Sequence, residues 1–259
     1  MSTLSGKYDR NWIIENSLSG NVLLSLQALL EKIPMTSGMT VLDLGCGKGV
    51  TSVYLAREFQ ARVFAVDKEI DPTTNFLFFL KNEAADVIPL RASAHHLPFP
   101  HGFFDVILVT NSYGYFGTDD KFLPYIAQFL KKDGRFGIID ICFSREINEA
   151  SEIPAFLEKD FHNYWYHVHS PGWWRGKFEK AGVLKDIAVE ITGKSDQLTA
   201  DYISFTQGKR DAFAEALQQD KTGLIRFFTA VGTKNDRKPY LERYSTFKAN
   251  PNYPDDLQE

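Results

Sequence analysis

The sequence has few cysteines, no excess of positive charge and no long hydrophobic run, and each shortage excludes a class of protein. Only Cys46 and Cys142 are cysteines among 259 residues, too few for a disulfide-stapled scaffold. A net charge of −4 does not supply the basic surface that nucleic-acid phosphates require. No apolar run approaches the roughly 20 residues of a membrane span. We therefore expect a cytoplasmic protein with no nucleic-acid partner and no stable membrane insertion.

What the sequence does contain is a regular alternation of strand-like and helix-like segments. Hydrophobic residues make up 44% of the chain, enough for a sizeable core. Short apolar runs alternate with segments of helical periodicity. The predicted strands are 41–44, 62–67, 87–90, 104–110, 135–142, 183–192 and 223–232. Such alternation predicts an α/β fold: a doubly wound, Rossmann-like, seven-stranded and mostly parallel sheet with helices on both faces.

The stretch around which the chain is organised follows the first predicted strand. That strand carries Asp43 and ends in three alternating glycines, Gly45, Gly47 and Gly49, before a helical pattern begins. Glycines let the backbone approach a ligand closely, and a helix N-terminus favours an anionic group. A dinucleotide-binding turn would need a third glycine where Val50 stands. The turn also lacks the G-K-[ST] ending of a phosphate-binding P-loop.

A second acid, Asp67, ends the second predicted strand, 20 residues after Gly47. In a Rossmann-type unit an acid in this position accepts hydrogen bonds from the two hydroxyls of a ribose. A negative charge strengthens such bonds. The alternative interpretation is a solvated acid at the end of a strand.

Together these features resemble a known family. The pattern D-x-G-x-G-x-G at 43–49 and the loop A-x-x-L-P-F at 94–99 are similar to motifs of the class I S-adenosylmethionine-dependent methyltransferases. The loop is most similar to that of the quinone and sterol C-methyltransferase branch. The turn Lys131-Lys132-Asp133-Gly134 resembles the family's L-K-P-G-G turn. The resemblance implies S-adenosylmethionine as the cofactor and methyl transfer by in-line displacement as the activity.

The resemblance also implies the residues that contact the cofactor. These are Asp43, Gly45, Cys46, Gly47, Gly49, Asp67, Lys68, Ser93, Ala94, His95, Thr110 and Asn111. The glycine turn would receive the amino-acid end, with Asp43 attracting its ammonium, and Asp67 would hold the ribose. Ser93 stands where the family usually has an acid beside the adenine.

The resemblance divides the chain into five segments. These are an N-terminal helical lid (1–35), a cofactor-binding core (36–143), a cap insertion that binds the acceptor (144–170), the rest of the sheet and its helices (171–234) and a polar tail (235–259). The helix in the first segment could equally be a packing helix on the sheet.

The cap insertion carries the candidates for acid–base chemistry. His162, His167 and His169 lie within eight residues, a spacing that matches no complete metal-ligand set, so no metal is predicted. We predict His167 or His169 as a general base, with Tyr113 and Tyr8 as contacts to the acceptor. Ordinary loop histidines are the alternative interpretation.

The predicted function is therefore methyl transfer to a small-molecule acceptor. A non-catalytic protein that binds S-adenosylmethionine and a nicotinamide-dependent oxidoreductase are the alternatives. The run 111–114 lacks the [DN]-P-P-[YF] motif of enzymes that methylate bases. The sequence leaves open whether carbon, nitrogen, oxygen or sulfur is methylated, and whether the chain forms a homodimer.

Overall fold

One mixed sheet organises the part of the chain that this computed structural model describes, residues 7–159, 161–206 and 211–235. Its strands are β1 (Thr40–Leu44), β2 (Arg62–Asp67), β3 (Ile88–Arg91), β4 (Phe104–Thr110), β5 (Leu130–Phe143), β6 (Leu184–Ile191) and β7 (Ile225–Lys234). They lie in the order β3-β2-β1-β4-β5-β7-β6. The first five are parallel, whereas β7 is antiparallel to β5 and to β6. The predicted mostly parallel, seven-stranded sheet is confirmed.

Helices cover both faces of this sheet. They are α1 (Arg10–Asn16), α2 (Val22–Leu30), α3 (Val50–Phe59), α4 (Pro72–Lys81), α5 (Phe122–Ala127), α6 (Ala155–Glu158), α7 (Pro171–Ala181), α8 (Ser195–Phe205) and α9 (Ala212–Gln219). Apolar residues of α1 to α4, α6, α8 and α9 pack into one core, and those of α5 and α7 into the other. Within the described ranges, none of these helices has the length and apolar character needed to cross a bilayer.

Alternation along each strand produces the two cores. In β1, Val41 belongs to the core under α2 and α3, whereas Leu42 and Leu44 belong to the core under α5 and α7. All three are at most 1% exposed. A strand covered on both faces is apolar at nearly every position, which is why Asp43 stands out within it.

The pattern of Asp119, Phe122, Ile126, Phe129 and Leu130 predicts a capped helix that reaches residue 130, but α5 is shorter than that. It ends at Ala127, and Leu130 instead begins β5, opposite Phe104 of β4. Asp119 accepts a hydrogen bond from the backbone N–H of Lys121 at 2.6 Å, one residue before the helix starts. Phe129 and Leu130 are apolar because they are buried in the sheet's core. Helical periodicity alone does not distinguish that environment from a helix face.

Residues 144–170 contain short helical turns that pack against the core of the sheet. Leu157, Trp165 and Val168 are buried in the same core as α2 and α3. The next helix, α7, begins at Pro171, and Ser170 before it accepts a hydrogen bond from the backbone N–H of Trp173. This segment is therefore anchored at both ends to the sheet. The predicted tail lies, except for Asn235, outside the described residues.

The first prediction concerns the packing of Phe79 on the glycine turn. Gly49 has a φ of +85°, and a Cβ there would overlap the Phe79 ring, whereas Gly38 has a φ of +81° with no atom near its Cβ position. Gly38→Ala should cost about 1 kcal/mol from backbone strain. Gly49→Ala should cost about 2–4 kcal/mol, because overpacking is added. Urea unfolding of both variants measures the difference, and equal losses would contradict the packing argument.

Candidate functional site

The glycine turn after β1 is held by its neighbours on three sides. The N–H groups of Gly45 and Cys46 donate to the carbonyl of Val66 at 2.8 and 3.1 Å. The side-chain amide of Asn75 in α4 donates to the carbonyl of Gly47 at 3.0 Å. Gly45 has a φ of +74°, and a Cβ there would overlap Ser112 in the loop after β4. Glycine is therefore required by both conformation and space.

Asp67 joins the end of β2 to this turn. Its Oδ2 accepts a hydrogen bond from the N–H of Gly47 at 2.9 Å. Its Oδ1 accepts from the N–H groups of Glu69 at 2.8 Å and Ile70 at 3.2 Å. A carboxylate has about four lone-pair sites, so it can still accept hydrogen bonds from a ligand.

Asp43 is buried behind the turn, only 1% exposed. Its Oδ2 accepts hydrogen bonds from the hydroxyls of Thr51 and Ser52, both at 2.6 Å, at the start of α3. Burial raises the pKa of Asp43 to about 6, although both hydroxyls favour the charged form. The carboxylate thus fastens the helix to the strand, and of these three residues Thr51 lines the cavity described next.

A cavity of about 380 Å³ lies over the turn. It is lined by Asn16, Ser17, Leu18, Ser19, Val22, Leu44, Gly45, Cys46, Gly47, Lys48, Val50, Thr51, Val66, Asp67, Lys68, Glu69, Ala92, Ala94, Thr110, Asn111, Ser112, Tyr115 and Phe116. We call it the larger cavity. Its volume lies within the range of small-molecule and cofactor sites. It opens at the carboxyl ends of β1, β2 and β4, where open α/β sheets bind ligands.

Eight of the twelve residues predicted to contact a cofactor line the larger cavity. They are Gly45, Cys46, Gly47, Asp67, Lys68, Ala94, Thr110 and Asn111. Gly49 is the N-cap residue just before α3, and Asp43 lies beneath the turn. Ser93 and His95 are buried beside the lining residues Ala92 and Ala94, with the Ser93 hydroxyl accepting from the N–H of His95 at 3.2 Å.

The segment before α2 passes over the glycine turn. Asn16 to Ser19 line the larger cavity, and Lys48 donates to the backbone carbonyl of Glu15 at 3.0 Å. Leu18 is 62% exposed, yet its side chain lies within van der Waals reach of Gly47. The residues just before α2 thus border the larger cavity, while α2 packs in the core, and the predicted lid stays a prediction.

A smaller cavity of about 60 Å³ adjoins the larger one. It is lined by Ser19, Asn21, Ser25, Asn111, Tyr115, Asp140, Ile141, His167, Leu198, Asp201, Tyr202, Phe213 and Phe227. Ser19, Asn111 and Tyr115 line both cavities. Asn111 has a φ of +55°, a conformation that asparagine tolerates better than most residues. Two binding spaces therefore share one wall at the end of β4.

Asp140 and His167 are two titratable residues of the smaller cavity whose pKa values are shifted by burial. Asp140 Oδ2 accepts from the N–H of Gly114 at 3.1 Å, and Oδ1 from that of Ile141 at 2.9 Å. Burial nevertheless raises the pKa of Asp140 to about 6. Burial, with a smaller contribution from His169 nearby, lowers the pKa of His167 to about 4. At neutral pH the carboxyl is mostly ionised and the imidazole is neutral.

The other predicted catalytic residues lie outside the linings of both cavities. His169 Nδ1 lies 2.7 Å from Glu146 Oε1, and its ring stacks on Trp173 with the ring centres 3.7 Å apart. Tyr113 is 1% exposed in the core beside Trp174. Tyr8 donates to Glu58 at 3.2 Å, near the end of α3. Among the described residues, no group of three side chains is arranged to bind a metal.

Sequence reasoning missed four titratable residues of the smaller cavity: Tyr115, Asp140, Asp201 and Tyr202. A signal existed for Asp140, an acid near the carboxyl end of an apolar strand next to β4. Asp201 and Tyr202 lie in α8, whose approach to the site no local pattern indicates.

Comparison with known proteins supports the same interpretation. A sequence profile described as a methyltransferase domain matches residues 41–134, the stretch from β1 into β5. This stretch of the chain is therefore similar to a methyltransferase domain. The fold of the chain is similar to that of phosphoethanolamine N-methyltransferase 2 from Haemonchus contortus, with a TM-score of 0.67 at 20% identity, over 86% of this chain and 55% of that one.

Two further proteins are similar to this chain, one in fold and one in sequence. Geranyl diphosphate C-methyltransferase from Streptomyces coelicolor has a TM-score of 0.62 at 19% identity, over 82% of this chain and 81% of that one. Methyltransferase GfsG from Streptomyces halstedii is 29% identical over 127 residues, 48% of this chain. The chain spans 46% of the length of GfsG and less than half of two further curated relatives.

The second prediction concerns the charge state of His167. Because its pKa is lowered in the folded protein, the unfolded chain binds more protons between about pH 6.5 and 4. This group should therefore remove about 3 kcal/mol of stability as the pH falls through that window. An NMR titration of the histidine resonances, assigned with His167→Gln, should give a midpoint near pH 4. A midpoint of 6 or above would contradict the burial argument.

Proposed function

We propose that this protein transfers a methyl group from S-adenosylmethionine, held in the larger cavity, to a small molecule held in the smaller one. The single observation that carries the proposal is the shared wall formed by Ser19, Asn111 and Tyr115. In-line displacement requires a donor and a nucleophile held in contact and in one orientation. Two adjoining cavities at the end of β4 meet that requirement.

The residues of the larger cavity fit the proposed cofactor. Its amino-acid end matches the glycine turn and the start of α3, where backbone N–H groups favour a carboxylate. Its ribose hydroxyls match Asp67, and Ala92 and Ala94 offer an apolar wall for the adenine. The hydroxyl of Thr110 is buried and has no hydrogen-bond partner among the described residues, so a ligand group can satisfy it.

When bound, S-adenosylmethionine supplies an electrophilic methyl group on a positively charged sulfur. The chain's own contribution is to position the two molecules and to keep water out. The aromatic rings of Tyr115 and Phe116 line the larger cavity, and aromatic rings suit a positively charged methyl donor. Phe213 and Phe227 add apolar rings to the lining of the smaller cavity.

Asp140 is better suited than His167 to accept a proton from the acceptor. A general base works best when its pKa is near the working pH. The pKa of Asp140 is about 6, whereas that of His167 is about 4. We therefore assign proton acceptance to the Asp140 carboxylate. His167, neutral and in the same lining, serves as a hydrogen-bond acceptor that orients the small molecule.

The names of the relatives support a small-molecule acceptor without agreeing on the atom. Phosphoethanolamine N-methyltransferase is named for methylation at nitrogen, and geranyl diphosphate C-methyltransferase for methylation at carbon. The same fold also occurs in the [4+2]-cyclase SpnF, with a TM-score of 0.64 at 16% identity. Activity must therefore be tested directly. Incubation with S-adenosylmethionine and a panel of small acceptors should yield S-adenosylhomocysteine and a product heavier by one methylene.

The third prediction tests the ribose contact. Asp67→Asn should weaken S-adenosylmethionine binding by about 10- to 100-fold, because the hydroxyls lose a charged hydrogen-bond acceptor. Calorimetric titration measures the affinity, and circular dichroism checks that the variant is folded. Asp86→Asn is the matched control, since Asp86 is exposed and outside both cavities. An unchanged affinity in Asp67→Asn would remove the ribose assignment.

A further inference from the structure

The smaller cavity has an unusual balance of charge. Among the described residues, its lining contains two carboxylates, Asp140 and Asp201, and neither a lysine nor an arginine. His167 adds no positive charge at neutral pH, because burial lowers its pKa to about 4. A space lined by two carboxylates, with neither lysine nor arginine in its described lining, favours a positively charged occupant.

The two carboxylates are not equivalent. Asp201 lies 3.9 Å from Arg10, a half-exposed residue outside the lining, and this cation offsets part of its charge. Asp140 receives hydrogen bonds from backbone N–H groups, and no arginine or lysine pairs with it among the described ion pairs. Its two oxygens retain lone pairs after these bonds. Asp140 is therefore the stronger anchor for a cation.

The uncharged part of the lining points the same way. Tyr115, Tyr202, Phe213 and Phe227 surround the space with aromatic rings, whose faces attract cations. A volume of about 60 Å³ is room for a group of about four non-hydrogen atoms. A phosphate or carboxylate group would meet two carboxylates and find no partner there.

We propose that the acceptor is an amine whose reactive nitrogen enters the smaller cavity as an ammonium group beside Asp140. This inference rests on the proposed function and names its substrate class. In the transfer, the ammonium gives one proton to the Asp140 carboxylate. The nitrogen lone pair then forms the new C–N bond as the C–S bond breaks and leaves its electron pair on sulfur. Asp140 finally releases the proton to solvent.

The fourth prediction tests this class by binding, without turnover. The probes are n-propylamine, the isosteric neutral 1-propanol and the anion propionate, added to protein saturated with S-adenosylhomocysteine and followed by ligand-observed NMR and calorimetry at pH 7. Propylamine should bind at least tenfold more tightly than propanol, and propionate more weakly than either. Equal binding of propylamine and propanol, or a preference for propionate, would overturn the proposal.

Variants identify the responsible carboxylate. Asp140→Asn should weaken propylamine binding at least tenfold while changing S-adenosylhomocysteine affinity by less than twofold. Asp201→Asn should have a smaller effect, because Arg10 already offsets that charge. Asp196→Asn, whose side chain is 90% exposed and outside the lining, is the matched control. If Asp140→Asn does not fold, the comparison of the three probes on the wild-type protein still decides.

The outcomes separate this inference from the proposed function. Failure of S-adenosylhomocysteine to bind would remove the proposed methyl transfer. Tight S-adenosylhomocysteine binding with no preference for propylamine would leave methyl transfer in place and exclude the amine class. Conversion of propylamine to a product heavier by one methylene would support both.

Discussion

The hydrogen bond from the Gly47 N–H to the Asp67 carboxylate is the constraint on which the site depends. It ties the turn after β1 to the end of β2, in addition to the hydrogen bonds from the N–H groups of Gly45 and Cys46 to the carbonyl of Val66. The same carboxylate also caps the N–H groups of Glu69 and Ile70. One side chain thus fixes the turn, the strand end and the start of the next loop. Charge-assisted hydrogen bonds of this kind are stronger than neutral ones.

A second carboxylate, Asp43, is buried beneath the turn. Asp43 binds the hydroxyls of Thr51 and Ser52 and so fixes the first turn of α3 against β1. Between these two acids the backbone of the turn has little freedom to move. Preorganised backbone N–H groups are what a helix N-terminus offers an anionic ligand group. Asp43, the acid of the motif at 43–49, therefore has a structural role here and lies behind the residues that line the cavity.

Sequence reasoning predicted the fold because the strands of a doubly wound sheet are apolar on both faces. The bounds of β2 and β4 were predicted at the residues where they occur, and a polar residue, Lys68 or Asn111, follows each run. The end of α5 was wrong, because Phe129 and Leu130 are buried for a reason that only the sheet supplies. Most of the larger cavity followed from the glycine turn and Asp67, which are adjacent along one motif.

Most of the residues that line the smaller cavity could not be predicted from the sequence. His167 was a candidate, but nothing local separated it from His169, which the structure pairs with Glu146. Tyr113 and Tyr115 both follow β4, so the sequence alone did not distinguish them. The helical turn at Tyr113–Tyr115 places the ring of Tyr113 in the core, whereas Tyr115 lines both cavities. Asp140 and Tyr202 come together across 62 residues of chain (202 − 140). Such long-range meetings are set by the packing of α8 on the sheet.

The place of Ser19 has a consequence for the order of events. This residue belongs to the segment between α1 and α2 and lines both cavities. Its backbone carbonyl and its hydroxyl accept hydrogen bonds from the side-chain amide of Asn111. Any displacement of that segment changes the two compartments at once. A ligand that displaces this segment from one cavity therefore changes the affinity of the other cavity for its ligand, and the factor is the same in both directions. One strip of backbone is the route by which the two proposed ligands would be linked.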